Sequence, residues 1–358
     1  MKVLVAMSGG VDSSVAAKIL QNSGYECVGA TMKLYNGEQE NNSGGKTCCS
    51  LDDVYDARMV ALKLNMKYYV FNFTDGFREN VIDKFIEAYE CGQTPNPCID
   101  CNKYMKFDKL FERAKILDCD KVATGHYAII EQNADGKFIL KKAIDPTKDQ
   151  SYVLYFLTQD NLAHLLFPLG AMCKADTRKI AEENGFVNAN KPDSQDICFA
   201  QGGSYADTIK AFTGKTCEEG NYIDKNGKIL GKHKGIIHYT IGQHKRLGLG
   251  TDKKLFVTKI NAKDNTVTLG DEEDLFKKTV FVENMHWVSG EKPSFPLRCS
   301  AKVRYRQQDK PATVYAYGEN GIRLVFDDNE RAITLGQAAV LYNGDIVLGG
   351  GTITGSDK

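Results

Sequence analysis

The sequence predicts an α/β protein, a doubly wound parallel sheet followed by a small central domain and a C-terminal β-barrel. Three observations carry this expectation. Strand-like and helix-like segments alternate through the first 124 residues, which implies parallel strands joined by crossover helices. After Gly202-Gly203 the chain turns rich in Gly, Lys and Thr. From about residue 275, short alternating runs separated by turns take over, the pattern of a small closed sheet. Boundaries near 202 and 274 divide the chain into residues 1–202, 203–274 and 275–358. The length of 358 residues, at about 150 per domain, accommodates this division.

Each element has its own signal. Val3-Leu4-Val5-Ala6-Met7 is a short apolar β-type run, and a Gly/Ser turn follows it. Val15, Ala16, Ile19 and Leu20 then recur at helical spacing. A second strand reads over 26–32. Ser50 with Asp53 resembles a capping box, and Val54, Ala57, Val60, Ala61 and Leu64 stripe the helix after it. Residues 68–73 read as a third strand. Phe77, Val81, Phe85 and Tyr89 recur every fourth residue and mark a helix ending near Gly92. Residues 121–124, ahead of Gly125, read as another strand. A short helix is expected over 205–212. The alternating runs at 255–258, 266–269, 279–282, 301–305, 312–315 and 322–326 read as strands of the later domains.

Composition excludes several classes. Hydrophobic residues at 42% and charged residues at 26% fit a globular chain and not a disordered or fibrous one. The 46 basic and 46 acidic side chains cancel, so a nucleic-acid surface has to be a local patch. No apolar stretch approaches the roughly 18 residues of a membrane span, and the opening apolar run is too short for a signal peptide. A soluble, cytoplasmic protein without membrane association is expected. The 11 cysteines then point to thiol chemistry or metal binding more than to structural disulfides.

Ser8-Gly9-Gly10-Val11-Asp12-Ser13-Ser14 lies between a strand and a helix. Its glycines allow a tight turn that presents backbone N–H groups. The hydroxyls add donors, and the helix N-terminus adds partial positive charge. The combination reads as an anion cradle at the carboxyl end of a strand, where α/β sheets take ligands. The Gly-Lys-Ser/Thr ending of a Walker A loop is missing. The plainer alternative is a Gly-rich connection.

Thr94-Pro95-Asn96-Pro97-Cys98-Ile99-Asp100-Cys101-Asn102 ends one helix and opens another, striped by Leu110, Phe111, Ala114 and Leu117. A thiol at a helix N-terminus has its thiolate favoured by the dipole. A second polar, Pro-flanked cysteine, Cys198, stands in Lys191-Pro192-Asp193-Ser194-Gln195-Asp196-Ile197-Cys198-Phe199. Cys98-x-x-Cys101 is open to three readings: a redox pair, a metal half-site or coincidence. Cys27, Cys91, Cys119, Cys173, Cys217 and Cys299 read as small buried hydrophobes. The adjacent Cys48-Cys49 reads either as surface thiols or as part of sulfur handling.

The SGGVDSS loop resembles that of the PP-loop ATP pyrophosphatases, of the adenine nucleotide α-hydrolase-like fold. The ordered set SGGVDSS, TPNPCIDCNKYMKF, ATGHYA, KDQSYVLY, PDSQDICF, HYTIGQHKRLGLG and GDIVLGGGTI resembles the tRNA-specific 2-thiouridylases, the MnmA/TrmU family, over nearly the whole chain. The resemblance implies an ATP site at Ala6, Met7, Ser8, Gly9, Gly10, Val11, Asp12, Ser13, Met32 and Gly125, with Asp12 helping to hold Mg²⁺. It implies adenylation of the C2 oxygen of the wobble uridine of tRNA, then displacement of AMP by sulfur, with pyrophosphate as coproduct. Cys198 would carry the persulfide and Cys101 would be the nucleophile, with a transient disulfide between them. Asn96, Pro97 and Cys98 would border the base, and Lys148, Asp149, Gln150, Tyr305 and Arg306 would contact tRNA. A persulfide-donating sulfur carrier or cysteine desulfurase would be a partner. Some members of the family have Asp at the position of Cys98, and a competing scheme makes Cys98, Cys101 and Cys198 three ligands of a [4Fe–4S] cluster.

Two basic stretches suit RNA. Lys225, Lys228, Lys232, Lys234, Lys245 and Arg246 lie between Asp224 and Asp252 without an acid among them, joined by His233, His238 and His244. Arg298, Lys302, Arg304 and Arg306 accompany Tyr305. A solvated charged face is the bland alternative. Two other functions remain in competition. A carbonyl-adenylating ligase or amidotransferase would not need Cys101 or Cys198. A non-catalytic RNA-binding or sulfur-carrier protein would release no pyrophosphate.

Overall fold

The computed structural model describes residues 1–35, 51–193, 197–200, 204–250 and 253–357. Ser50, Cys48, Cys49 and residues 194–196 of the second cysteine motif lie outside the described residues.

The first sheet is parallel throughout. Strand β1 (Lys2–Ala6) is central, flanked by β2 (Glu26–Lys33) and then β3 (Lys67–Asn72) on one side. On its other side lie β4 (Lys121–Ala123) and the short strand Leu165–Leu166. Alternation along β1 sets the two layers. Val3 and Val5 join Val15, Ala16, Ala57, Val60 and Ala181 on one face. Leu4 joins Phe77, Val81, Phe85 and Leu110 on the other. Helices therefore cover both faces, as doubly wound sheets require.

The strict four-residue spacing of Phe77, Val81, Phe85 and Tyr89 has a structural counterpart. A repeat of four outruns the 3.6-residue turn, and the apolar stripe would drift around an ideal α-helix. Residues 78–82 widen into a π-helical segment, and all four side chains stay buried. A second π-helical stretch, Cys101–Asp108, interrupts the helix that carries the Cys-x-x-Cys motif.

The central region forms a four-stranded sheet in which Gly220–Ile223 pairs with Ile229–His233 and with Thr266–Gly270, and Phe256–Asn261 lies outermost. The C-terminal region closes into a barrel. Phe276–Trp287 pairs at one edge with Gly321–Arg331 and at the other with Ile346–Ser356. Val280, Val314, Leu324, Phe326 and Leu341 fill its interior. The hairpin Ala128–Gln132/Phe138–Lys142, from the first region, joins the barrel sheet where Lys141 meets Ile346. No strand is expected there from the apolar runs above, although Asp135-Gly136 between two apolar runs is a hairpin signal.

Arg304 knits the regions together. Its guanidinium donates to Ile241 O at 3.0 Å, Ala332 O at 2.7 Å and Thr334 Oγ1 at 2.6 Å. Arg304→Ala leaves these acceptors to rearrange and should cost about 2–3 kcal/mol of unfolding free energy, measured by chemical denaturation.

Candidate active site

The phosphate loop sits where β1 ends and helix α1 (Val11–Asn22) begins. Ser13 Oγ accepts from Ser8 N at 3.1 Å and donates to Gly10 O at 3.1 Å, so the loop is braced from within. Gly9 has φ +75°, and a Cβ there would stand 2.3 Å from Asp53 O. Gly125, just past β4, lies so close that a Cβ would be 2.8 Å from Ser13 N and from the Asp12 carbonyl carbon. Met7 is buried, and its carbonyl accepts from Thr31 Oγ1 at 2.6 Å. Ala6, Val11 and Met32 complete the surroundings as largely buried apolar groups. The residues expected around a nucleotide thus meet at the carboxyl edge of the parallel sheet.

Several polar residues at this edge had no local signal in the sequence. Tyr127 OH lies 2.9 Å from Asp12 Oδ1, and Lys174 Nζ lies 2.6 Å from the same oxygen. Lys174 also pairs with Asp193 at 2.7 Å. Lys148 and Arg178 reach Asp193 at 2.8 and 3.1 Å. Burial works against the Asp193 carboxylate, but hydrogen bonds from Lys148 and Lys174 carry its pKa below the ordinary value. Asn188 Nδ2 donates to Gly9 O at 2.9 Å and to Ser14 Oγ at 3.0 Å. Lys191 Nζ bonds Asp53 and Asp56, both at 2.6 Å, and Gly9 O at 3.3 Å. The chain from 188 to 193 is therefore laid against the phosphate loop.

The cysteine helix starts as its sequence suggests. Asn96 is the N-cap, its Oδ1 accepting from Cys98 N at 3.2 Å, and buried Pro97 occupies the first turn. Cys98 is exposed, while Cys101, one turn further in, is buried. The residues around Cys198 rest on the same core. Phe199 meets Phe77 at 5.8 Å and Phe85 at 5.2 Å between ring centroids. The helix bearing Phe77 and Phe85 packs in turn against the cysteine helix, with Met105 facing Gly76. Tyr305 of the barrel reaches this place too. Burial, then the neighbouring Asp149 and Cys98, push its phenol up to about 12. Its ring lies 5.9 Å from that of Tyr152.

The remaining expected residues take the following places. The Asp149 carboxylate is buried, accepting from Ala143 N and Ser151 N at 3.2 Å and pairing with Lys302 at 3.3 Å, so it faces the protein interior rather than solvent. Gln150 Oε1 accepts from Tyr127 N at 2.9 Å, and Lys148 is the Asp193 partner described above. The second basic cluster is largely engaged internally: Lys302 and Arg304 as described, and Arg298 with Asp327. Exposed Tyr305 and Arg306 remain at the surface. His233 is buried, 3.2 Å from Asn265 O, and burial lowers its pKa, so it is not part of a cationic face. Cys27 and Cys299 are indeed buried, their thiols pushed up by burial to about 11 and about 12. Cys91 and Cys173 are exposed instead. Among the described residues no group of three or more Cys, His, Asp or Glu side chains is placed to hold a metal ion. No described helix is long and apolar enough to cross a membrane.

A parallel sheet with this loop at the first strand–helix junction, joined to a closed barrel, defines a PP-loop α/β protein with accessory β domains. Family models match three successive regions of the chain. The tRNA methyl transferase HUP domain matches residues 1–202, the tRNA methyl transferase PRC-barrel domain 206–271, and the aminomethyltransferase beta-barrel domain 277–353. A Clostridioides difficile (strain 630) protein named tRNA-specific 2-thiouridylase MnmA is 50% identical over 353 residues, 98% of each chain. Proteins of the same name from Acetivibrio thermocellus and Clostridium acetobutylicum are 46% and 47% identical, each covering 98% of this chain and 99% of their own. The chain belongs to the tRNA-specific 2-thiouridylase family.

The Asp193 shift fixes a sign. A carboxyl whose folded pKa is depressed contributes stability above its unfolded pKa, and that contribution fades as pH falls through the folded value. The advantage in melting temperature of the wild type over Asp193→Asn should be full at pH 7 and shrink below about pH 4.

Proposed function

We propose that the protein is an ATP-dependent tRNA sulfurtransferase that converts the C2 carbonyl of the wobble uridine to a thiocarbonyl. The observation that carries this reading is the pairing of a prebuilt anion cradle with two cysteine segments that pack on one shared core. Membership of the thiouridylase family supplies the substrate class.

In this reading the loop N–H groups and hydroxyls hold the phosphates of ATP while the uridine oxygen attacks the α-phosphorus and pyrophosphate leaves. Asp12, a hard oxygen donor at the mouth of the loop, fits Mg²⁺, which is commonly held by one or two carboxylates together with substrate phosphates. Such an ion would neutralise charge on the leaving group. Adenylation matters because an amide-like oxygen is a poor leaving group, whereas AMP is a good one.

Sulfur then arrives as a persulfide on Cys198, delivered by a protein sulfur carrier or a cysteine desulfurase. The Cys101 thiolate attacks the inner sulfur and forms a Cys101–Cys198 disulfide as hydrosulfide departs. Hydrosulfide adds at C2, and AMP leaves with the original oxygen. An external thiol must reduce the disulfide before the next turnover. Cys98, Asn96 and Pro97 border the base in this scheme, and Tyr305 and Arg306 offer stacking and phosphate contacts to the RNA. Lys225, Lys228, Lys232, Lys234, Lys245 and Arg246 of the central region supply further phosphate contacts. A cytoplasmic site of action follows from the tRNA substrate.

The thiols separate this reading from its rivals. Cys101→Ser and Cys198→Ser should each reduce 2-thiouridine formation by at least about a thousandfold while leaving nucleotide binding within about threefold. The check is mass spectrometry of nucleosides from unmodified tRNA incubated with ATP, Mg²⁺ and a persulfide donor. An amidotransferase-like ligase would keep its adenylating turnover in both variants, and a non-catalytic binder would release no pyrophosphate.

A further inference from the structure

Cys98 and Cys101 stand three residues apart at the start of one continuous helical stretch, in which the α-helical turn Pro97–Asp100 runs into the π-helical residues Cys101–Asp108. They differ in access. Cys98 is exposed, whereas Cys101 is only 9% exposed and lies in the apolar cluster that holds Phe77, Phe85, Met105 and Phe199. Cys198 packs against the same cluster and is half-buried. A disulfide between Cys101 and Cys198 would be screened by these side chains, and a soluble thiol would have a poor approach to it. Exposed Cys98, one turn from Cys101, is already on the same helix. Residues three apart on a helix have Cβ atoms roughly 5–6 Å apart, and a disulfide needs roughly 3.5–4.5 Å, so a closing of about 1–2 Å joins the pair. Few helical hydrogen bonds resist that closing, because the pair lies where the helix begins and changes pitch. The N–H groups of a first helical turn also favour an anion, the form in which a thiol attacks a disulfide.

We propose that Cys98 is the resolving thiol of the sulfur-transfer cycle: it takes over the bond that Cys101 forms with Cys198 and carries it, as a Cys98–Cys101 disulfide, to the surface. The inference rests on reading Cys198 as the persulfide-bearing thiol and Cys101 as the thiol that attacks it. The step is an ordinary exchange. Cys98 gives its proton to solvent, and its thiolate attacks the Cys101 sulfur. The Cys98–Cys101 bond forms, the Cys101–Cys198 bond breaks, and Cys198 leaves as a thiolate with the electron pair. No net oxidation or reduction occurs. An external dithiol then attacks the exposed Cys98 sulfur, is itself oxidised to a disulfide, and leaves Cys98 and Cys101 both reduced. Cys198 is ready for a new persulfide as soon as the first exchange is over, before the external reductant has acted. The place of Cys98 beside the base does not conflict with this, because the exchange follows departure of the thiolated RNA.

The test uses the full-length protein, loaded with a persulfide donor, freed of excess donor by gel filtration, and mixed with ATP, Mg²⁺ and unmodified tRNA in the absence of added reductant. Samples are quenched in acid over time and alkylated with N-ethylmaleimide. Peptide mass spectrometry then maps the disulfides, with exposed Cys91 as the alkylated reference. In the wild type a Cys101–Cys198 disulfide should appear with the thiouridine and give way to Cys98–Cys101, while Cys198 becomes alkylated. In Cys98→Ser the Cys101–Cys198 disulfide should persist, and its reduction by dithiothreitol should be at least about tenfold slower than that of the oxidised wild type. Thermal melts establish that the variant is folded, Cys98→Ala repeats the comparison, and the wild-type disulfide map needs no variant at all. A wild type that keeps Cys101–Cys198 with Cys98 alkylated throughout overturns the proposal. So does a Cys98→Ser protein that dithiothreitol reduces at the wild-type rate. Thiouridine formed with neither disulfide at any time contradicts the persulfide reading on which the proposal rests.

Discussion

The arrangement of this protein depends on one carboxylate, Asp12, fixed at the first turn of α1 where the central parallel strand ends. Its place is enforced by backbone contact and not by side-chain choice alone. Gly9 fits against Asp53, and Gly125 fits against Asp12 and Ser13, at distances where any larger residue would clash. From there polar contacts run outward through Tyr127 and Lys174 to Asp193, Lys148 and Arg178. These contacts join the loop at Asp12 to the segment that holds Asp193.

The cysteine segments have a different foundation, an apolar one. Phe77, Phe85 and Phe199 form a cluster of edge-on rings, and the cysteine helix packs against the same helix they sit on. The barrel contributes from the opposite direction. Thr94, just before the cysteine motif, donates its N–H to Leu335 O at 2.9 Å and accepts from Gln337 Nε2 at 2.6 Å. Tyr152 OH reaches Ala338 O at 2.8 Å. The barrel thus holds the start of the cysteine motif in place.

The fold was largely legible because its signals are local. The apolar run 3–7, the Gly-rich turn and the stripe at Val15, Ala16 and Leu20 lie within one strand–turn–helix unit. The phosphate loop was legible for the same reason. Lys174, Asn188 and Lys191 were not, since each acts on a loop more than 150 residues away and no spacing rule links them. The basic stretch around Arg304 misled for a related cause. Lys302 ends the strand Leu297–Lys302 and Arg304 lies in the bend after it, and both turn inward to carboxylate and carbonyl partners that only the folded chain supplies. The hairpin at 128–142 shows the same limit at the level of topology. Its turn is visible in the sequence, but its partner strand lies more than 200 residues downstream.

The central claim is that a uridine oxygen is activated by AMP and leaves with it. The most direct measurement follows that oxygen. Unmodified tRNA carrying ¹⁸O at C2 of the wobble uridine is converted in the presence of ATP, Mg²⁺ and a persulfide donor, and the AMP formed is weighed by mass spectrometry. The account predicts one ¹⁸O in each AMP released per thiouridine made. Unlabelled AMP, with the heavy oxygen recovered in water, would contradict it.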